Sequence, residues 1–284
     1  MNVNFASTSL LEVQGGTLAY DVTGDGPLIV LAPGMGQNRT TFGEVASLLT
    51  DAGFRVARMD IRGHGESSAG WDTYSRTDVA HDLIALIREL GGPAVIVGHS
   101  FSGGAATIAA ALEPELVTGA VELGPFTRAQ RLDFKGLGSN PRYRKGLSLL
   151  LGAALLRSVG LWKRYLDHAF PGVKPAGFDE YLAQTEADLR RPGRMAVVTK
   201  MGQSAPTDAG AKLAEVRVPV LVLMGDLDPD WADPAAEAAG IVAELPEGLG
   251  RLETVEGAGH YPHVQFPERV ADAVAAFATG LADG

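Results

Sequence analysis

Five short, nearly unbroken apolar runs govern what this chain can become: LIVLA (28–32), RVARMD (55–60), AVIVG (94–98), GAVELG (119–124) and VPVLVLMG (218–225). A strand with one face in water alternates polar and apolar residues. A strand that reads as continuously apolar is buried on both faces, as in a parallel sheet covered by helices on either side. Helical patterns fall between the runs at about residues 40–52, 77–90 and 101–112, and again at 267–280, where Val270, Val274 and Phe277 recur on one face. The alternation predicts a doubly wound α/β fold with a mostly parallel sheet. Ahead of it, LLEVQGGTLAYDVTGDG alternates on either side of Gln14-Gly15-Gly16 and predicts an antiparallel hairpin.

The interval from Gly124 to Val218 is too long for one crossover and holds its own helical material, Leu147 to His168 and Phe178 to Arg190. It is assigned to an inserted helical cap, residues 127–212, which leaves 1–126 and 213–284 as the core domain. Leu147, Leu149, Leu150, Leu151, Leu155, Leu156, Val159, Leu161 and Trp162 make one cap segment apolar over a wide arc, so it is expected to bury several sides. Packing of the cap onto the sheet is the expected main role, and an apolar pocket roofed by this segment is the sharper reading. Arg128, Arg131, Lys135, Arg142, Arg144 and Lys145 form a basic stretch, expected as a solvated face, with attraction of an anionic substrate as the alternative.

Composition narrows the partners. A net charge of -10 argues against nucleic acid, whose phosphates need a basic surface. The absence of cysteine removes disulfides, a thiol nucleophile and thiolate metal sites. The start, MNVNFASTSLLEV, lacks the pattern of a secretion signal, so a cytoplasmic location is expected. The most apolar stretch, Leu147 to Trp162, is shorter than the roughly 20 residues of a membrane span and contains Gly152 and Arg157. A small-molecule substrate is the expected partner.

Chemistry concentrates at AVIVGHSFSGGAATIAA, where an apolar strand runs through Gly98-His99-Ser100-Phe101-Ser102-Gly103 straight into an Ala-rich helix. Ser100 falls on the tight strand-to-helix turn, which needs small neighbours, lifts the hydroxyl above the sheet and leaves N–H groups of the helix start unpaired. The stretch has neither the lysine of a P-loop nor the spacing of a dinucleotide loop. The usual pattern is G-x-S-x-G; here the last position is Ser102, with Gly103 following.

A serine nucleophile needs a base to take its proton and a third group to orient that base. VPVLVLMGDLDPDWADP places Asp226, Asp228 and Asp230 after a buried strand, at the edge where doubly wound sheets build their sites. Asp228 is the preferred acid, while Asp226 and Asp230 are read as turn or solvated acids. Of six histidines, only His260 and His263 follow the acid in the order Ser, acid, His. His260, in a Gly257-Ala258-Gly259 loop after a strand-like run, is the preferred base, and His263 is its rival.

Taken together, Pro33-Gly34-Met35-Gly36, Asp60-Ile61-Arg62-Gly63-His64-Gly65-Glu66-Ser67, the segment around Ser100, Gly225-Asp226-Leu227-Asp228 and Gly257-Ala258-Gly259-His260 resemble the α/β-hydrolase superfamily over nearly all of the chain outside the cap. The resemblance implies Asp228 as acid and His260 as base, with an oxyanion hole from the backbone N–H groups of Met35 and Phe101. Most relatives carry His-Gly where this chain has Pro33-Gly34. In relatives the segment from Asp60 to Ser67 is a structural turn, and the Met35 side chain is placed to face substrate. Neither metal nor organic cofactor is implied. Serine at the turn sets the chain apart from relatives with dehalogenase or epoxide-hydrolase activity, which carry aspartate there. Hydrolysis of a carboxylic ester or lactone through an acyl-enzyme is the leading expectation. Carbon–carbon bond hydrolysis, a cofactor-free perhydrolase and a receptor-like ligand-binding protein of the same fold are the alternatives.

Overall fold

The apolar runs become the centre of an eight-stranded sheet. In the computed structural model, which describes residues 7–129 and 133–282, β1 (Ser9–Val13) and β2 (Gly16–Thr23) form the antiparallel hairpin. They are followed by β3 (Leu28–Ala32), β4 (Arg55–Met59), β5 (Ala94–His99), β6 (Val117–Leu123), β7 (Val220–Gly225) and β8 (Gly250–Val255). The order is β1-β2-β4-β3-β5-β6-β7-β8, and all pairings from β4 through β8 are parallel. β3 lies between β4 and β5, so the winding reverses there, and the carboxyl ends of β3 and β5 flank the crevice where open α/β sheets place their ligands.

The continuous apolar reading has a direct cause. Along β3, Val30 and Ala32 enter one core while Ile29 and Leu31 enter the other; β5 and β7 divide in the same way, with Ile96 and Val222 on one face and Val97 and Leu223 on the other. The first face is covered by α2 (Arg76–Glu89), α3 (Phe101–Leu112) and α10 (Pro234–Glu244), the second by α1 (Gly43–Asp51) and α12 (Pro267–Ala282), which follows the short α11 (Pro262–Gln265). α2 starts at a capping box in which Ser75 and Asp78 each satisfy the other's backbone N–H. α10 is absent from the periodicity reading. Its Ala-rich face has little apolar contrast, although Asp233 as N-cap and Pro234 as first residue marked its start.

Between β6 and β7 lie α4 (Phe134–Ser139), α5 (Pro141–Leu156), α6 (Val159–Ala169), α7 (Phe178–Leu189), α8 (Arg194–Gly202) and the short α9 (Thr207–Gly210). Trp162, Tyr165, Leu166 and Leu149 pack with Phe170, Phe178 and Tyr261 into a third apolar cluster, with Met35 against it. The leucine-rich segment is two helices: Arg157 takes a left-handed conformation, and Ser158 caps α6 by accepting from the Leu161 N–H. Burial on several sides is not realised. α5 buries Leu149 and Ala153, while Leu151, Leu155 and Leu156 stay exposed on its other side.

The basic stretch disperses. Arg128 is ion-paired with Glu237 and Glu244, Lys135, Arg144 and Lys145 face solvent, and Arg131 lies outside the described residues. Among the described residues no helix is long and apolar enough to cross a membrane.

Candidate active site

Strand β5 delivers Ser100 to the switch point in a conformation that non-glycine residues seldom adopt, φ 53° and ψ -112°. The turn is this sharp because α3 starts immediately. A Cβ on Gly98 would lie 2.2 Å from the Ser102 carbonyl oxygen, so only glycine fits. The departure at Ser102 has a local function: its fully buried hydroxyl donates to the Pro33 carbonyl at 2.6 Å, tying the start of α3 to the loop after β3. That loop carries Met35. Among the described residues no carbonyl accepts from the Met35 or Phe101 N–H, and Phe101, as first residue of α3, has no partner within the helix. The segment from Asp60 to Ser67 braces the same loop, since the Gly36 N–H donates to His64 Nε2 at 2.8 Å and the Arg39 N–H donates to Asp60.

His260 stands over the serine. Its Nε2 lies 2.9 Å from Ser100 Oγ and its Nδ1 lies 2.9 Å from Asp228 Oδ2. In the neutral ring these contacts correspond to the tautomer in which Nδ1–H donates to the carboxylate and Nε2 accepts from the hydroxyl. Two tethers fix the ring's backbone: the His260 N–H donates to the Ala169 carbonyl at the end of α6, and His99 Nε2–H donates to the His260 carbonyl at 2.8 Å. The loops after β7 and β8 touch so closely that a Cβ on Gly225 would lie 2.3 Å from the Gly259 carbonyl oxygen.

The rival residues sit elsewhere. His263 is buried, stacked on Phe42 at 4.3 Å, and neither ring nitrogen has a hydrogen-bond partner among the described residues; burial first and then His260 press its pKa down to about 3. Asp226 is exposed and accepts the Gly257 N–H at 2.7 Å, a turn role. Asp230 does not fit its reading as a turn or solvated acid. It is only 6% exposed, its Oδ2 lies 3.4 Å from His260 Nδ1, and it accepts the Tyr165 hydroxyl at 2.7 Å. Burial opposes a charged His260, yet Asp228 and Asp230 together outweigh it and raise the imidazole to about 9. Asp228, Asp230 and His260 also form the one grouping of carboxylate and imidazole atoms among the described residues compact enough for a cation, but those atoms already face one another.

A cavity of about 940 Å³ opens beside this cluster. Its wall includes Phe126, Asp230 and Trp231 from the core and Tyr143, Leu147 and Leu150 from α5. The Phe126 ring on its wall meets the His260 ring edge-on at 5.7 Å, while Ser100 and His260 themselves are not among its lining residues. Among the described residues the charged side chains on its wall are Asp133, Asp230, Asp233, Glu237 and Glu244 against Arg128, an acidic excess.

A sequence profile of the alpha/beta hydrolase family matches residues 29–273. An uncharacterized protein of Mycobacterium tuberculosis is 32% identical over 277 residues, covering 93% of this chain and 79% of that protein. The 2-(acetamidomethylene)succinate hydrolase of Mesorhizobium japonicum is 27% identical over 92% of this chain and 91% of its own. A thermophilic esterase from Thermogutta terrifontis superposes with a TM-score of 0.74 at 23% identity, covering 97% of this chain and 99% of that one, a likeness that speaks to the fold. The chain belongs to the alpha/beta hydrolase family.

Proposed function

We propose that the protein is a serine hydrolase that cleaves a small carboxylic ester or lactone through an acyl-enzyme. The observation that carries this reading is the continuous contact from Ser100 Oγ through the His260 ring to Asp228, with both links at 2.9 Å and all three groups buried. Ser100 attacks the carbonyl carbon while His260 takes its proton and Asp228 stabilises the resulting imidazolium. His260 then protonates the departing alkoxide, and a water activated by the same ring releases the acid. The N–H groups of Met35 and Phe101 receive the developing oxyanion, each contributing about 2.7–4 kcal/mol of barrier reduction.

The cavity supports a neutral or cationic substrate over an anionic one, because its negative wall repels a carboxylate and Arg128 is already held by Glu237 and Glu244. Its volume and its aromatic and leucine surfaces suit a small, largely apolar group. A fluorophosphonate probe tests the reading: the wild type is labelled and Ser100→Ala is not. A folded wild-type protein that resists labelling would instead favour a receptor-like role.

A further inference from the structure

The relay needs one carboxylate on His260 Nδ1, and this structure supplies two. Asp230 Oδ2 lies 3.4 Å from Nδ1, against 2.9 Å for Asp228 Oδ2. The pair shares one turn: the Asp230 backbone N–H donates to Asp228 Oδ1 at 2.9 Å, so the turn that carries Asp230 also holds the Asp228 carboxylate. Asp230 Oδ2 also accepts the hydroxyl of Tyr165, a fully buried residue of α6, at 2.7 Å. The same helix ends at Ala169, whose carbonyl holds the His260 backbone N–H. α5 presses on the acid turn as well, since a Cβ on Gly146 would lie 2.8 Å from the Pro229 carbonyl oxygen. The inserted helices therefore grip the imidazole from its backbone and from its acid side.

We propose that Asp230 is a second positioning residue for the general base, and that through the Tyr165 hydroxyl it makes the seating of α6 part of what orients His260. The proposal rests on the serine-hydrolase reading above. Its physical content is charge. An imidazolium beside two carboxylates is stabilised more than beside one, so the ring gives up its proton at a higher pH than in a relay with a single acid. The groups facing His260 and Asp230 are Asp228, Tyr165, His99, Tyr261 and His263; burial and then Tyr181, Asp230 and Asp228 push the Tyr261 phenol far up, and burial keeps the His99 and His263 rings neutral. Asp228 and Asp230 are thus the charges able to move the base. Burial first, and then Asp228, raise the Asp230 carboxyl, while the Tyr165 hydroxyl favours its ionised form.

The test is the rate of fluorophosphonate labelling against pH for the wild type, Asp230→Asn, Tyr165→Phe and the double variant. Labelling needs the free base, so each profile rises with pH along a limb set by His260. Asp230→Asn is expected to move that limb down by about one pH unit or more. Tyr165→Phe should move it the same way by less, because without that hydroxyl α6 no longer holds the Asp230 carboxylate beside the ring. In the Asp230→Asn background Tyr165→Phe should leave the limb where it is. A limb unchanged in folded Asp230→Asn, or a Tyr165→Phe shift of equal size in both backgrounds, overturns the proposal. Should Asp230→Asn fail to fold, an unmoved limb in Tyr165→Phe alone does so. Loss of Ser100-dependent labelling from the wild type would instead overturn the hydrolase reading, so the two failures are distinguishable.

Discussion

Replacing Gly98 by alanine tests whether the turn at Ser100 is set by packing at a single atom. The added Cβ would sit 2.2 Å from the Ser102 carbonyl oxygen, 2.5 Å from its carbonyl carbon and 2.8 Å from the Gly103 nitrogen. All three are backbone atoms of the first turn of α3, so no side-chain rotation relieves the clash. Real Cβ contacts are essentially never shorter than 3.0 Å, so α3 must retreat by at least the difference, 3.0 minus 2.2 or 0.8 Å. Overpacking of this kind costs about 1–3 kcal/mol, and each kcal/mol lowers the melting temperature of a domain this size by about 2–4 °C. The functional cost is larger. The displaced atoms belong to the first turn of α3, which begins with Phe101 directly after Ser100, and a misplacement near 1 Å lowers rate by about 100-fold. Thermal unfolding and the fluorophosphonate labelling rate measure both effects. Gly280→Ala is the control, since nothing lies within 4 Å of its added Cβ and the helix gains from alanine. A Gly98→Ala protein with wild-type melting and labelling within twofold of wild type would refute the reasoning.

Other consequences follow from the same geometry. His260→Ala should lower turnover of p-nitrophenyl acetate by several orders of magnitude while His263→Ala retains activity, and Asp228→Asn should cost far more than Asp226→Asn; the reverse ranking in either pair would reassign the residue. Glu122 accepts from Thr107 and Thr127, and its burial raises it to about 7. A carboxyl raised above its unfolded value adds stability that is full below the unfolded pKa and is lost as pH rises through the folded one. Glu122→Gln should therefore match the wild type near pH 4 and exceed it by up to about 3 kcal/mol above pH 8, read as a growing difference in melting temperature; a constant difference would contradict it. The acidic cavity should favour acetylthiocholine and its uncharged carbon isostere over a carboxylate-bearing ester of similar size by about tenfold or more in kcat/KM, about 1.4 kcal/mol; equal turnover of all three would show that substrate does not enter there.

What the sequence makes legible here is what local physics determines. Ser100 could be placed because a strand, a turn and a helix are consecutive, and Gly98 is required by atoms only four and five residues away. The doubly buried strands were readable because burial on both faces erases alternation within a few residues. His260 and Asp228 were readable as an order along the chain, but their separation from Ser100 depends on β6, β7 and β8 pairing in register. Asp230 shows where this reasoning stops. By composition it belongs with Asp226, two acids flanking Asp228 in a Pro-containing turn, and the sequence treats them alike. They part because a hydroxyl on α6, 65 residues earlier, reaches one of them and solvent reaches the other. The exposed Leu151, Leu155 and Leu156 show the converse, an apolar pattern that promises burial which the surrounding elements do not supply. In both cases the deciding term is which of the helices between β6 and β7 lies against which loop, a contact encoded by neither segment alone. That is why the charge environment of His260, unlike the position of Ser100, had to be seen in three dimensions.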